Sequence, residues 1–207
     1  MALKITAIVA LLLALPAPRV PGQAPPNSPL LESGQVNVEG REMPYRIRRL
    51  PVSSFPDLPA PIADALSVRG CLIPQTYQAH HPENVINASL ERPGSSDWAV
   101  LCSAHGQVSL LVFFASAAPA APIVLAEISE TERLQAHDLT GVLGFNWGID
   151  PAAPRRIREA QSGMAHHPTA PDHDCLADIT IDHRTIYHLY REGAWEKVEV
   201  DSATIQP

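Results

Sequence analysis

Histidine and aspartate side chains that could bind a metal ion are concentrated around residue 170. His166, His167, His173 and Asp174 lie within a stretch of nine positions. Imidazole nitrogen and carboxylate oxygen are zinc ligands, and a zinc-bound water can attack an ester or an amide. The spacing matches no established zinc motif, and two nearby prolines indicate a loop. We interpret these residues as solvated and expect no cofactor. A metal-assisted hydrolase that uses this cluster is the alternative function.

The sequence does not indicate a nucleophilic enzyme either. Cys175 follows His173 by two positions, and sequence neighbours seldom form the dyad that activates a thiolate. No serine stands in a Gly-x-Ser-x-Gly elbow, and Gly94–Asp97 has the composition of a turn. Catalytic residues are therefore unknown, and we expect a non-catalytic protein.

Three residues are candidates for binding a ligand, namely Asp97, Trp98 and Trp195. Indole rings can form a platform for a sugar or a peptide, although they more often pack in a core. Asp97 opens a predicted strand, where its carboxylate is expected to accept backbone N–H bonds from the turn before it. In that role Asp97→Asn is expected to cost about 1 kcal/mol, the worth of one hydrogen bond.

The three cysteines predict one disulfide bond and one free thiol in an oxidising compartment. Cys71 follows a predicted helix and Cys102 ends a predicted strand, so regular structure holds both positions. We predict the pair Cys71–Cys102, and a bond of either residue with Cys175 is the alternative. In the chain-entropy model a loop of roughly 30 residues contributes about 3–4 kcal/mol.

The N-terminal residues have the layout of a secretory signal peptide. A single lysine precedes the apolar run Ile5–Leu15, and small residues precede a cleavage site after Ala24. The run is about half the length needed to span a bilayer, roughly 20 residues. We therefore predict a signal peptide at 1–24, a secreted or periplasmic location, and no membrane insertion after cleavage. Residues 25–58 are expected to be disordered or extended, and 59–203 to form one domain.

Composition narrows the classes of partner. The chain carries 15 basic and 22 acidic side chains, a net charge of −7, with no basic cluster large enough for nucleic acid or an anionic membrane. The short basic runs at 46–49 and 155–158 are interpreted as a solvated strand and a solvated helix face. The expected partner is an unknown protein or a small-molecule ligand.

The chain alternates short apolar runs with turn residues, a pattern typical of consecutive strands. Strands are predicted at 45–49, 85–90, 97–102, 108–115, 123–128, 177–184, 185–190 and 195–200. Helices are predicted at 59–70, 129–137 and 150–160. Ser129 and Glu132 form a capping-box pattern at the second of these, and Asp150 is the expected N-cap of the third.

These elements predict an α+β fold, mainly one antiparallel sheet with a few short helices packed on one side. Alternation along Asp97–Cys102 places Trp98, Val100 and Cys102 on one face, which a helix should cover, and the alternate residues on the other.

Part of the chain resembles a known repeat. Within Asn84–Leu101, the residues Gly94, Asp97, Ala99, Val100 and Leu101 match the second half of an FG-GAP/VCBS-type repeat, in which a strand leads into a calcium loop. Ser89, Glu91 and Pro93 stand where that family places oxygen ligands, so the resemblance is to a degenerate repeat that binds no calcium. No second copy is found, and a propeller is not predicted.

The wider layout, roughly 66–200, resembles a family of small uncharacterised secreted bacterial proteins. The resemblance lies in Cys71–Gln75, Asp97–Cys102, His173-Asp174 and the closing segment from Tyr187 to Trp195. It implies no activity. The expected function is therefore that of a secreted or periplasmic non-catalytic domain with a binding or accessory role.

Overall fold

The computed structural model describes residues 29–117 and 121–201. Within these ranges the chain forms two β-sheets and two α-helices. The signal peptide predicted at 1–24 lies outside the described residues, as does the start of the segment 25–58. None of the described helices is long and apolar enough to cross a membrane.

The first sheet has nine strands. They are β1 (Leu30–Val38), β2 (Arg41–Pro51), β3 (Leu72–Gln75), β4 (Val85–Ala88), β5 (Asp97–Ala104), β6 (Gln107–Phe113), β7 (Ile123–Ser129), β8 (Leu134–Ala136) and β9 (Leu143–Phe145). Their order is β7-β6-β5-β3-β2-β9-β8, with β1 beside β2 and β4 beside β5. All pairings are antiparallel except β2 with β9, which is parallel.

The second sheet has four antiparallel strands in chain order. They are β10 (Trp147–Ala152), β11 (Cys175–Thr180), β12 (Arg184–Arg191) and β13 (Ala194–Asp201). The sequence led us to expect these C-terminal strands in one sheet with the central strands, and that expectation is wrong, because they form a sheet of their own. Each sheet has an apolar inner face, and these faces pack on each other.

The packing of the two sheets creates the largest core. Ile47, Leu101 and Leu110 of the first sheet lie in one apolar cluster with Trp147 and Leu176 of the second sheet. All five side chains are almost completely buried. Sheets with one apolar face are stable only when that face is covered, and here each sheet covers the other.

The outer face of each sheet carries one helix, α1 (Ala60–Val68) or α2 (Pro154–Ala160). Ile62 and Leu66 of α1 pack on Val100 of β5, and Ile157 of α2 packs on Tyr187 of β12. The helices thus lie on opposite sides of the molecule. The expected α+β fold with helices on one side is wrong, because the chain is mostly strand and the order of layers is helix, sheet, sheet, helix.

Two of the predicted helices differ from the structure. At 129–137 a 3-10 turn, Glu130–Arg133, leads directly into β8, and no side chain caps its start. Glu130 is buried there because its carboxylate pairs with Arg49 of β2, which draws the chain inwards. At 150–160 the chain continues β10 as far as Ala152, so the helix begins only at Pro154.

Residues 30–51, within the segment expected to be disordered or extended, form the hairpin of β1 and β2. Glu39 and Gly40 join the strands with φ values of 51° and 82°. Two consecutive residues at positive φ are the geometry of the tight turns that suit the twist of a hairpin. Arg49 lies on the buried face of β2, so the basic run at 46–49 is solvated only in part.

Candidate functional site

The histidine and aspartate cluster does not converge in space. His166 and His167 are exposed, whereas His173 is buried, with Nε2 3.0 Å from the carbonyl oxygen of Tyr190. Asp174 accepts a hydrogen bond from the backbone N–H of Ser89. Within 29–117 and 121–201, no three His, Cys, Asp or Glu side chains are arranged to hold a metal ion. The four candidate residues are therefore not brought together around one point in the described part of the chain.

The three cysteines have the arrangement favoured by the sequence. Cys71 and Cys102 form a disulfide with their Cα atoms 5.1 Å apart, and Cys175 is free and buried. Burial, assisted by the nearby carboxylate of Asp174, raises the pKa of the Cys175 thiol to about 12. Since the thiolate is the nucleophilic form, this cysteine is unsuited to catalysis at neutral pH.

Asp97 has a structural role that is larger than predicted. Its carboxylate is fully buried, and one oxygen accepts hydrogen bonds from the backbone N–H groups of Leu90 and Glu91 and from the hydroxyl of Ser95. The other oxygen accepts from the N–H of Ala115, 2.8 Å away. Four donors thus point at one carboxylate, which leaves it engaged in holding the loop before β5.

The two tryptophans proposed for binding occupy different environments. Trp98 is half-buried on the α1 side of β5, as the alternation predicts, and it lines two clefts beside the 54–61 segment. Trp195 packs against Phe114 and Tyr190, with ring centroids 5.8 and 5.0 Å apart. Its environment is that of a packed aromatic cluster between the sheets, with the indole N–H enclosed.

A buried polar group also lies between the sheets. Trp147 donates its indole N–H to Asp178 at 2.6 Å, and the other oxygen of Asp178 lies 3.2 Å from Nε2 of His188. The Arg133 guanidinium lies over the Trp147 ring, 4.3 Å from its centroid. Burial lowers the pKa of Arg133. Trp147, Asp178 and His188 belong to neighbouring strands of the second sheet and are buried, and Arg133 is partly buried, so the group offers little access to a ligand.

The strongest candidate for a ligand site is an open cleft of about 560 Å³ on the outer face of the first sheet. We call it the arginine cleft and define it by Arg46, Arg48, Tyr77, His137 and Thr140. Its volume falls within the usual range for small-molecule sites, roughly 300–1,000 Å³.

Strand β2 positions the two arginines. Arg46 and Arg48 are two residues apart, so their side chains leave the same face of the strand, opposite to buried Ile47. Arg48 donates to the carbonyl oxygen of Ala79 at 2.9 Å. Within the described part of the chain, neither guanidinium contacts a carboxylate. A guanidinium has five donors, so most of the donors on this face are available.

Aromatic rings form one wall of the cleft. The rings of Tyr77 and His137 are stacked 4.4 Å apart and are nearly parallel. Tyr77 donates its hydroxyl to Asp182, and burial, together with this bond, raises the tyrosine pKa to about 12. Gly144 of β9 lies beneath the stack, where an added Cβ would come within 2.7 Å of Tyr77 Cβ. The absence of a side chain at 144 is therefore what admits the stack.

One acidic side chain lines the described part of the cleft. Asp138 accepts hydrogen bonds from the backbone N–H and the hydroxyl of Thr140, and these bonds hold its pKa below the usual value. Its other oxygen lies 3.8 Å from Nδ1 of His137. The two arginines thus face a single carboxylate that is already engaged, so the cleft has an excess of positive charge.

Sequence reasoning missed this cleft because its defining residues come from three segments that are distant in the sequence. The available signal was the i, i+2 spacing of Arg46 and Arg48 in a predicted strand, which was interpreted as a solvated face. Family models, curated proteins and solved structures were each compared with the chain, and none of them matches it.

Proposed function

We propose that this protein is a secreted or periplasmic, non-catalytic binding domain whose arginine cleft holds a small anionic ligand. The ligand class is a compound with carboxylate or phosphate groups. The Cys71–Cys102 disulfide supports an oxidising compartment, because such bonds persist outside the reducing cytoplasm.

One observation carries the ligand class. The chain has 22 acidic and 15 basic side chains, yet Arg46 and Arg48 stand side by side without a carboxylate partner among the described residues. An acidic chain contains many carboxylates with which an arginine on an open cleft could pair. Two arginines that remain without such a partner on one face favour an external anion, since guanidinium binds carboxylate and phosphate through paired hydrogen bonds.

The neighbouring groups suit the same ligand. The Tyr77–His137 stack borders the arginines and offers a flat aromatic surface, whereas the Thr140 hydroxyl is already donated to Asp138. A cleft with a few converging donors and an aromatic wall is the usual form of a small-molecule site.

The test is an NMR titration of the protein with citrate and, separately, with inorganic phosphate. Each probe is added up to about 20 mM at low salt, a range that includes weak millimolar affinities. We expect saturable shifts of the backbone amides of Arg46, Arg48 and Tyr77 for at least one probe. Binding should weaken at about 500 mM salt, because exposed charges are screened.

Three variants test whether binding depends on the two arginines of the cleft or on any positive charge of the protein. Arg46→Gln and Arg48→Gln should each weaken binding at least tenfold, since a charge-assisted hydrogen bond contributes about 1.5–3 kcal/mol. Arg41→Gln is the matched control, because Arg41 lies on the same strand, is exposed, and is outside the cleft. Absence of saturable shifts with both probes, or equal losses in all three variants, would overturn the proposal.

A further inference from the structure

Strand β1 is a long and regular sheet edge. It pairs with β2 over all nine residues, without a register shift, and among the described residues no strand pairs with its outer side. Its backbone N–H and C=O groups on that side are therefore available to another strand. Such an edge is a template for pairing with a second chain.

The other edges of the two sheets carry features that oppose such pairing. β13 bears the exposed charges Lys197, Glu199 and Asp201, and β10 contains Pro151. β4 and β8 have only four and three residues, and the pairing of β6 with β7 contains a register shift. Charges, prolines, short strands and bulges are the usual means by which proteins block their edges.

β1 has no lysine, arginine or proline, and Glu32 is its only charged residue. The Glu32 carboxylate is directed back into its own chain, where it accepts from Arg49 and from the Tyr45 hydroxyl. Leu30, Leu31 and Val38 are exposed by 48%, 63% and 41%. This edge is thus long, nearly uncharged and apolar at both ends, which favours a partner strand of the same kind.

We propose that β1 pairs antiparallel with β1 of a second copy, about a two-fold axis at Gly34, to form a dimer with a continuous sheet. A two-fold axis perpendicular to the sheet places one residue opposite itself, and only Gly34, the middle residue, lets all nine residues pair. This proposal is independent of the ligand proposed for the arginine cleft.

The side chains are compatible with that register. Leu30 lies opposite Val38 of the second copy at both ends of the ladder, so exposed apolar side chains become cross-strand neighbours. Glu32 lies opposite Val36, which avoids the like-charge contact that would result if Glu32 met itself. The only charge on the strand is therefore accommodated.

Because the two-fold axis is perpendicular to the sheet, each face of the sheet in one copy continues as the same face in the second copy. Leu31, Arg46 and Arg48 share one face of the hairpin and line the arginine cleft. In the dimer the two clefts open on the same side, and Asn37 of the second copy lies opposite Leu31 at the border of each cleft.

Sedimentation equilibrium of the protein over about 1–200 µM tests the proposal, because the weight-average mass should approach twice the chain mass as concentration rises. The double variant Leu30→Glu/Val38→Glu puts like charges opposite each other at both ends. Leu30→Glu/Val38→Lys puts opposite charges there. The first should raise the dimer dissociation constant at least tenfold, and the second should restore it to within about threefold.

Within one chain, positions 30 and 38 lie opposite Arg49 and Arg41, so glutamate at either position faces a cation. Lysine at 38 faces Arg41 on an exposed pair of residues, and the stability of that variant is therefore measured alongside its mass. Melting curves check folding, and Val124→Glu on the β7 edge, exposed by 48% in the native protein, is the matched control that should leave the dimer intact. A monomer across the whole concentration range, or equal behaviour of the two double variants, would overturn the proposal.

Discussion

The carboxylate of Asp97 shows how one side chain can organise a loop. Three backbone N–H groups and one hydroxyl converge on it, three of them from the loop before β5 and the fourth from Ala115, just after β6. A calcium loop would need these oxygens to be free for the ion, whereas here donors surround them. The local likeness to an FG-GAP/VCBS-type loop therefore coincides with a different use of the aspartate.

We predict that Asp97→Asn destabilises the protein by about 3 kcal/mol or more, since an amide N–H₂ group would face buried donors that lose their acceptor. The loss should exceed the 1 kcal/mol that the sequence suggested. Urea denaturation of the variant measures it, with Asp64→Asn on the exposed side of α1 as the control. Calcium should change neither midpoint, and a calcium-dependent stability abolished by Asp97→Asn would contradict this role.

At the scale of the strand, Gly144 is a residue of the first sheet that also lines the arginine cleft. It pairs with Arg46 in the parallel β2–β9 contact, and it lies under the stacked rings of Tyr77 and His137. The same residue thus sets the separation of β9 from the aromatic wall.

We predict that Gly144→Ala costs about 1–3 kcal/mol, because the new methyl group would overlap Tyr77 and the His137 ring. Gly148→Ala is the matched control on β10. There an added Cβ meets its nearest neighbour, Thr76 Cγ2, at an ordinary 3.6 Å. Thermal and urea unfolding of both variants checks the prediction. Equal stability of the two variants would contradict it and would show that the rings of Tyr77 and His137 can move apart at little cost.

The strands that sequence patterns predicted best are those with an apolar period and clear turns. The predicted runs at 97–102, 108–115 and 123–128 correspond to β5, β6 and β7, and the last three predicted strands correspond to β11–β13. β1 was not predicted because most of its residues are exposed at the edge of the sheet. Its sequence therefore shows no regular alternation of apolar and polar residues. β8 and β9 have three residues each, which is too short for a period to appear.

The helix predicted at 129–137 failed for a physical reason. A capping-box pattern is a local signal, and here a buried ion pair between Glu130 and Arg49, 81 residues apart in sequence, overrides it. The arginine cleft was missed for the same kind of reason. Its two arginines are visible in sequence, but the aromatic wall comes from distant segments.

At the scale of the whole molecule, the disulfide lies in only one of the two outer layers. Cys71 and Cys102 join the end of α1 to β5, and Cys175 lies in the cluster beneath α2. The first helix layer is thus crosslinked covalently to its sheet, whereas the second is held by packing and by a hydrogen bond from Arg156 to the Tyr187 hydroxyl.

We predict a specific count of reactive thiols. At about pH 8 the folded protein should show none, because burial and a pKa of about 12 keep Cys175 protonated and enclosed. Unfolding without a reductant should expose one thiol, and unfolding with a reductant should expose three. Labelling with a maleimide, read by mass spectrometry, gives the count. Two or more labels on the unreduced, unfolded chain would contradict the Cys71–Cys102 bond.

The raised thiol pKa also gives a direction to the pH dependence of stability. A group whose pKa is higher in the folded state loses its proton first in the unfolded state as pH rises. The contribution of the protonated Cys175 thiol to the free energy of unfolding is therefore complete below the ordinary thiol pKa. It decreases as the pH rises from about 9 towards 12.

The connectivity of β2 has a consequence for the order in which the chain can acquire its structure during synthesis. β2 is made early, but its parallel neighbour β9 and Glu130, the buried one of the two ionic partners of Arg49, belong to the second half of the chain. Until those residues exist, the N-terminal hairpin has an incomplete sheet and a guanidinium without its buried counter-ion. Long sequence separation slows folding, because chain entropy is lost before the contacts form. The hairpin of β1 and β2 is therefore expected to acquire its final structure late, and to depend on the second half of the chain to complete it.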